Sequence, residues 1–278
     1  GMDKKIIKLP VPIDPIRFQP NKLPFIKNTS YELPEFCIDE GDSIIVNPGV
    51  HLISRDLIVP ANRKLKISPG TTLRFQNDIV LICKGPLIAM GTQEQPIIFT
   101  ANQTNWPGIL VVNASEQSQL HFVEISKTAG VGSNTNPHGL DRGGWALTGG
   151  VTFYNSAVNI SHCNIHTSFA EDALNLVSSR FSLSESNFSQ NSSDGVDGDF
   201  VEGIIQNCTF NSIGGDALDF SGSKIKIRNM IASEIADKAV SIGENSYVKI
   251  EGAVINNVGY GIASKDLSNI EAHDIFIN

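Results

Sequence analysis

Two sets of polar residues recur every 22 positions in the C-terminal half of this 278-residue chain. One runs Asp172, Asp194, Asp216, Lys238, Tyr260. The other, three residues further on, runs Asn175, Asp197, Asp219, Ser241, Ala263. Carboxylates brought close to one another raise each other's pKa, and this is how one acid is held protonated beside another that is ionised, as general acid–base chemistry requires. The same crowding can instead be relieved by a bound cation, by a shared proton or by backbone N–H groups in the turns. A cation there would be Ca2+, because Asp oxygens are hard ligands. The candidates for chemistry are Asp197 and Asp219, either of which could act as base, with Asp194, Asp216 and Lys238. A competing reading is structural: Asp at the start of a strand caps nearby backbone N–H groups.

The elements that position these residues follow from the same period. Small residues recur at 173, 195, 217, 239 and 261, each followed by an aliphatic one: Leu174, Val196, Leu218, Val240, Ile262. A further column reads Phe188, Phe210, Ala232, Val254, Phe276. A fixed period of this length marks a solenoid. Apolar pairs two apart, such as Leu174/Leu176 and Leu218/Phe220, make its units strands and not helices. The expected fold is all-β: a single-stranded parallel β-helix of about 22 residues per coil, whose stacked strands lie about 4.8 Å apart. Alternation turns Leu174 and Leu176 inward, so Ala173 and Asn175 face out, and Asp197 and Asp219 are expected exposed on one face with Asp199 and Glu202 near it. Asp199, Ser221, Gly243 and Lys265 should form a polar stripe along one edge.

At this length the chain holds roughly ten to twelve coils in one body. Residues 1–42, rich in proline, read as an extended lead-in that caps the first coil, and 43–278 as the β-helix. The period breaks at 126–150, a glycine-rich insertion carrying His138, Asp141, Arg142 and Trp145. Hydrophobic residues make up 41% of the chain, enough for a long narrow core. The net charge of −8 argues against nucleic acid or an anionic membrane as partner, and no stretch approaches the ~18 apolar residues of a membrane span. Cys37, Cys83, Cys163 and Cys208 lack metal-type spacing and read as packed thiols. The chain stops just after starting a coil, at 273–278, which predicts either a continuation or end-to-end pairing with a second copy.

The phrases Pro69-Gly70-Thr71, Gly91-Thr92 and Pro96-Ile97-Ile98-Phe99, followed by Trp106-Pro107-Gly108 and Leu120-His121-Phe122, resemble the early coils of right-handed β-helix proteins of the pectin-lyase-like superfamily. Ser193-Asp194-Gly195, Gly215-Asp216-Ala217 and Ser241-Ile242-Gly243 resemble the polygalacturonase series. Asp194 and Asp216 match two of that family's three catalytic aspartates, the third falls on Ala217, its His falls on Lys238, and its Arg-Ile-Lys motif has no counterpart. Residues 168–268 are similar to uncharacterised bacterial β-helix modules, some found beside spore-coat-type kinase domains. The resemblance implies an extracellular or cell-envelope protein with a polysaccharide or oligosaccharide partner. It is expected to be a lyase, epimerase or hydrolase working on the outward Asp face, with Lys238 or Arg142 neutralising a sugar carboxylate. His138, Arg142, Trp145, Asp199 and Glu202 are then the substrate contacts. The alternative is a glycan-binding, surface or scaffold module without chemistry.

Overall fold

The computed structural model describes residues 33–130 and 148–278. Every regular element among them is a strand. The described residues form a parallel β-helix, and its strands stack into three parallel sheets. The first sheet stacks Gly149–Tyr154, Asp172–Val177, Asp194–Asp199 and Leu218–Ser221, and continues into the ends of the long strands Lys224–Gly243 and Tyr247–Ser264. The second stacks Val158–Ser161, Arg180–Ser184, Glu202–Gln206 and the starts of those long strands. The third stacks Asn164–His166, Asn187–Asn191 and Thr209–Ile213. At the N-terminal end, Cys37–Glu40 pairs antiparallel with Ser43–Val46 and covers the edge of the first rung.

Sharp corners between sheets need the left-handed backbone region, which few side chains enter without strain. Asn155, Ser178 and Phe200 hold φ of 45°, 49° and 54° at successive rungs of one corner, and His162, Glu185 and Asn207 do so at the next. A buried serine ladder satisfies the first corner. The Ser179, Ser223, Ser246 and Ser268 hydroxyls accept the N–H groups of Ser156, Val201, Ser223 and Ser246 at 2.9–3.0 Å.

The interior is a stack of like residues. Leu174, Val196, Leu218 and Val240 are fully buried in one column, and Phe188 and Phe210 stack at 5.2 Å in another. Gly198 is where the chain leaves room: a Cβ there would lie 2.6 Å from the Phe220 ring, which fills that space from the next rung.

The register corrects one expected column. The step from Lys224 to Tyr247 is 23 residues, and the count returns to 22 only after a shift between Ile235 and Lys238. Ala232 therefore pairs with Ile255, which is buried, while Val254 and Phe276 stand on Ile231 in an outward, exposed column. Phe276 does not continue the aromatic core. The extra residue lies in the turn 244–246, where a period-22 count does not see it.

Candidate acid–base face on the first sheet

The register sets the two Asp columns side by side. Asp172 pairs with Asp194, and Asn175, Asp197, Asp219 and Ser241 occupy one column on consecutive rungs. Asn175, Asp197 and Asp219 alternate with inward Leu174 and Leu176 as expected, but Ala173, expected to face out, is fully buried in the core, and the expected exposure of the acids needs correction too. Asp197 and Asp219 are half-buried, while Asn175 and Asp172 are 8% and 5% exposed. The carboxylates and amides pack on one another, and each rung shades the next.

The Asp194 and Asp216 carboxylates do cap backbone N–H groups, but on the next coil and not locally. Asp194 Oδ1 accepts the Asp216 N–H at 2.8 Å, and Asp216 Oδ1 accepts the Lys238 N–H at 2.8 Å. Gly215 makes this reach feasible: a Cβ there would lie 1.9 Å from Asp194 Oδ1. The Asn175 amide bridges the two columns, donating to Asp172 Oδ2 at 2.9 Å and to Asp197 Oδ2 at 3.1 Å. Carboxylate oxygens of Asp194, Asp216 and Asp219 lie within 4.8 Å of one another, close enough to share a hard cation. The Ser241 hydroxyl, one rung above Asp219, is fully buried without a hydrogen-bond partner.

Burial in this stack disfavours charge, and the acids respond unequally. Asp197 is pushed up to about 8, by burial first and then by Asp172, Asp199 and Asp219. Burial also raises Asp172 to about 7, against the lowering pull of the Asn175 hydrogen bond. Asp194 rises to about 6, held back by the Asp216 N–H. Asp199 and Asp216 are raised too, Asp216 less freely because Lys238 lies beside it. At neutral pH, then, Asp197 carries a proton and Asp194 is largely ionised. A proton held on Asp197 is what a general acid needs, whereas the sequence reading offered Asp197 or Asp219 as base.

Lys238 was expected to neutralise a substrate carboxylate. Its Nζ instead sits 3.3 Å from Asp216 Oδ1 and also pairs with Asp237, so its charge is committed within the protein. Asp199 belongs to the same face, with Ser221 and Gly243 following it in register. Glu202 does not: it lies on the second sheet between Arg180 and Lys224, with Arg180 Nε 3.6 Å away. His138, Arg142 and Trp145 lie outside the described residues. Asp172 was missed as a titrating member, although its place in the 22-residue column with Asp194 and Asp216 was the available signal. All four cysteines are free thiols; Cys83, Cys163 and Cys208 are buried.

The family comparison agrees with the architecture of the C-terminal half. Residues 149–278 match the family model described as a right handed beta helix region. Among solved structures, the chain is similar to the periplasmic alginate epimerase AlgG, at 12% identity over 89% of this chain and 81% of that one, with a TM-score of 0.29. It is also similar to the alginate lyase from Paenibacillus sp. str. FPU-7, at 12% identity over 75% of this chain and 93% of that one, with a TM-score of 0.23. No curated protein sequence matches it. No helix among the described residues is long and apolar enough to cross a membrane.

Proposed function

We propose that the first-sheet face carries out general acid–base chemistry on an extended polysaccharide. The observation that supports this most directly is the division between two neighbouring aspartates, Asp197 raised to about 8 and Asp194 to about 6. Environments that push paired carboxyls apart are how acid and base roles are assigned at neutral pH. The polymer follows from the architecture: a β-helix repeats its surface groups rung by rung, and such a face suits a ligand that itself repeats.

In this reading Asp197 gives its proton to the oxygen of the glycosidic bond as that bond breaks. Asp194 accepts a proton from the other reactant. If that reactant is water, its oxygen bonds to the anomeric carbon and the reaction is hydrolysis. If it is a carbon next to a sugar carboxyl, a double bond forms and the reaction is elimination. Asn175 positions Asp197 by the hydrogen bond its side-chain amide donates. A Ca2+ shared by Asp194, Asp216 and Asp219 would instead hold Asp194 as a ligand and not a base, and would draw a substrate carboxylate to the face. A polysaccharide of this kind places the protein outside the cell or in its envelope.

The test is a product screen on acidic and neutral polysaccharides, with and without Ca2+, comparing wild type with Asp197→Asn and Asp194→Asn. The reading expects new reducing or unsaturated ends from wild type and none from either variant. Binding without product on every polymer would make this a glycan-binding module, and product from both variants would remove the chemistry from this face.

A further inference from the structure

The charges are sorted around the coil. Residues 148–278 contain seven Lys and Arg, and five of them, Arg180, Lys224, Lys226, Arg228 and Lys249, project from the second sheet. Lys238 is held by Asp216 and Asp237 on the first sheet, and Lys265 lies on its edge stripe. The acidic columns are thus on one sheet and a cationic surface is on the next.

That cationic surface is not neutralised internally. Three of its cations share one carboxylate: Lys226, Arg228 and Lys249 lie 3.5, 2.9 and 2.9 Å from Glu251. Hydrogen bonds from Lys249 and Arg228, and then the charge of Lys226, pull Glu251 down to about 2. Glu271, in register with Lys249, offsets one further charge, so the sheet sets five cations against Glu202, Glu251 and Glu271. Arg180 is widely exposed, with Glu202 beside it at 3.6 Å. Lys224 makes no ion pair among the described residues, and its neighbours above and below on the sheet are Tyr247 and Glu202.

The surface is also shaped. Two adjoining grooves, of about 650 and 400 Å3, share Arg180, Glu202, Lys224 and Tyr247 as walls. Phe200, 64% exposed, flanks the larger groove. Aromatic rings beside spaced cations offer apolar faces for sugar rings and partners for their acidic groups.

We propose that the second sheet is a binding surface for an anionic polysaccharide, separate from the acid–base face. The spacing favours a glycan over a nucleic acid. The cations are interleaved with Glu202 and Glu251, and the molecule is acidic as a whole, which suits a polymer with about one charge per sugar better than a dense phosphate backbone. Delivery to the first sheet around the corner follows if the same polymer spans both faces, but this surface binds whether or not the acid face is catalytic.

The test is fluorescence anisotropy with labelled polygalacturonate fragments, dextran fragments and a single-stranded oligonucleotide. Wild type is expected to bind the polygalacturonate, more weakly as salt rises, and not the dextran. Lys224→Gln/Lys226→Gln/Lys249→Gln should weaken binding by about tenfold or more. Arg180→Gln/Lys224→Gln, which leaves the Glu251 cluster whole, supplies the same reading if the triple variant does not fold. Arg74→Gln, an exposed cation on the third sheet, should bind as wild type does, which separates this surface from a general charge effect. No polygalacturonate binding, unchanged binding by the Lys variants, an equal loss in Arg74→Gln, or tighter binding of the oligonucleotide would overturn the proposal.

Discussion

Replacing Asp197 with Asn should stabilise the protein, and by more at high pH than at low pH. In an unfolded chain an Asp titrates near 3.9, whereas in the folded stack Asp197 is raised to about 8. A carboxyl raised on folding contributes stability that is fully present below its unfolded value and is lost as pH climbs through its folded one. Between those limits the native state holds a proton that the unfolded state has released, so stability falls with pH by up to about 1.4 kcal/mol per unit. From pH 5 to pH 8 the loss reaches about 4 kcal/mol at most. Asp197 is half-buried and shares its titration with its neighbours, which reduces the loss to about 2 kcal/mol. Asn is neutral at every pH and can still accept the Asn175 N–H. Thermal unfolding of Asp197→Asn should therefore exceed wild type by about 4–8 °C more at pH 8 than at pH 5. An equal shift at both values, or a variant less stable than wild type at pH 8, would refute the reasoning.

The other expectations follow from the same contacts. Lys238→Met leaves the buried Asp216 without its cation and should cost about 1–3 kcal/mol at pH 7, measured by denaturant unfolding, with less loss at pH 4. Gly215→Ala drives a Cβ into Asp194 Oδ1, so the Asp216 N–H bond is lost and the Asp194 midpoint, which that bond holds down, should rise in a carboxyl NMR titration. Phe210→Ala opens the stacked core of the third sheet and should cost about 3–5 kcal/mol by the same unfolding assay. Turnover on any polysaccharide substrate should be bell-shaped in pH, rising through about 6 and falling through about 8, because Asp194 must be ionised and Asp197 protonated.

The repeat made most of this fold legible. A period of 22 with inward pairs such as Leu174 and Leu176 leaves little choice but stacked strands, and the rungs from Asp172 to Ser241 keep that count. The columns failed where a turn gained a residue. Glu244, Asn245 and Ser246 carry one more residue than the turn below, and Phe276 moved to the outside as a result. The acid face was readable as a set of residues but not as an environment. Periodicity shows which side chains point outward; it does not show that Asn175 and its neighbours bury one another, and that burial decides which aspartate keeps its proton. Glu202 was misplaced because closeness in sequence to Asp199 suggested the same face, whereas the sharp corner at Phe200 puts it on the second sheet. The basic surface had a signal as well, in Lys224, Lys226 and Lys249 at steps that follow the coil, but a net charge of −8 hides a local cluster.

The most direct check on the account is a carboxyl-carbon NMR titration of the aspartates, assigned through Asp172→Asn, Asp194→Asn and Asp197→Asn. Apparent midpoints spread from about 6 to about 8, with the highest lost in Asp197→Asn, are the predicted result. If every carboxyl on this face titrates below about 5, near the ordinary range for aspartate, then no proton is held there at neutral pH and the face cannot do the chemistry assigned to it.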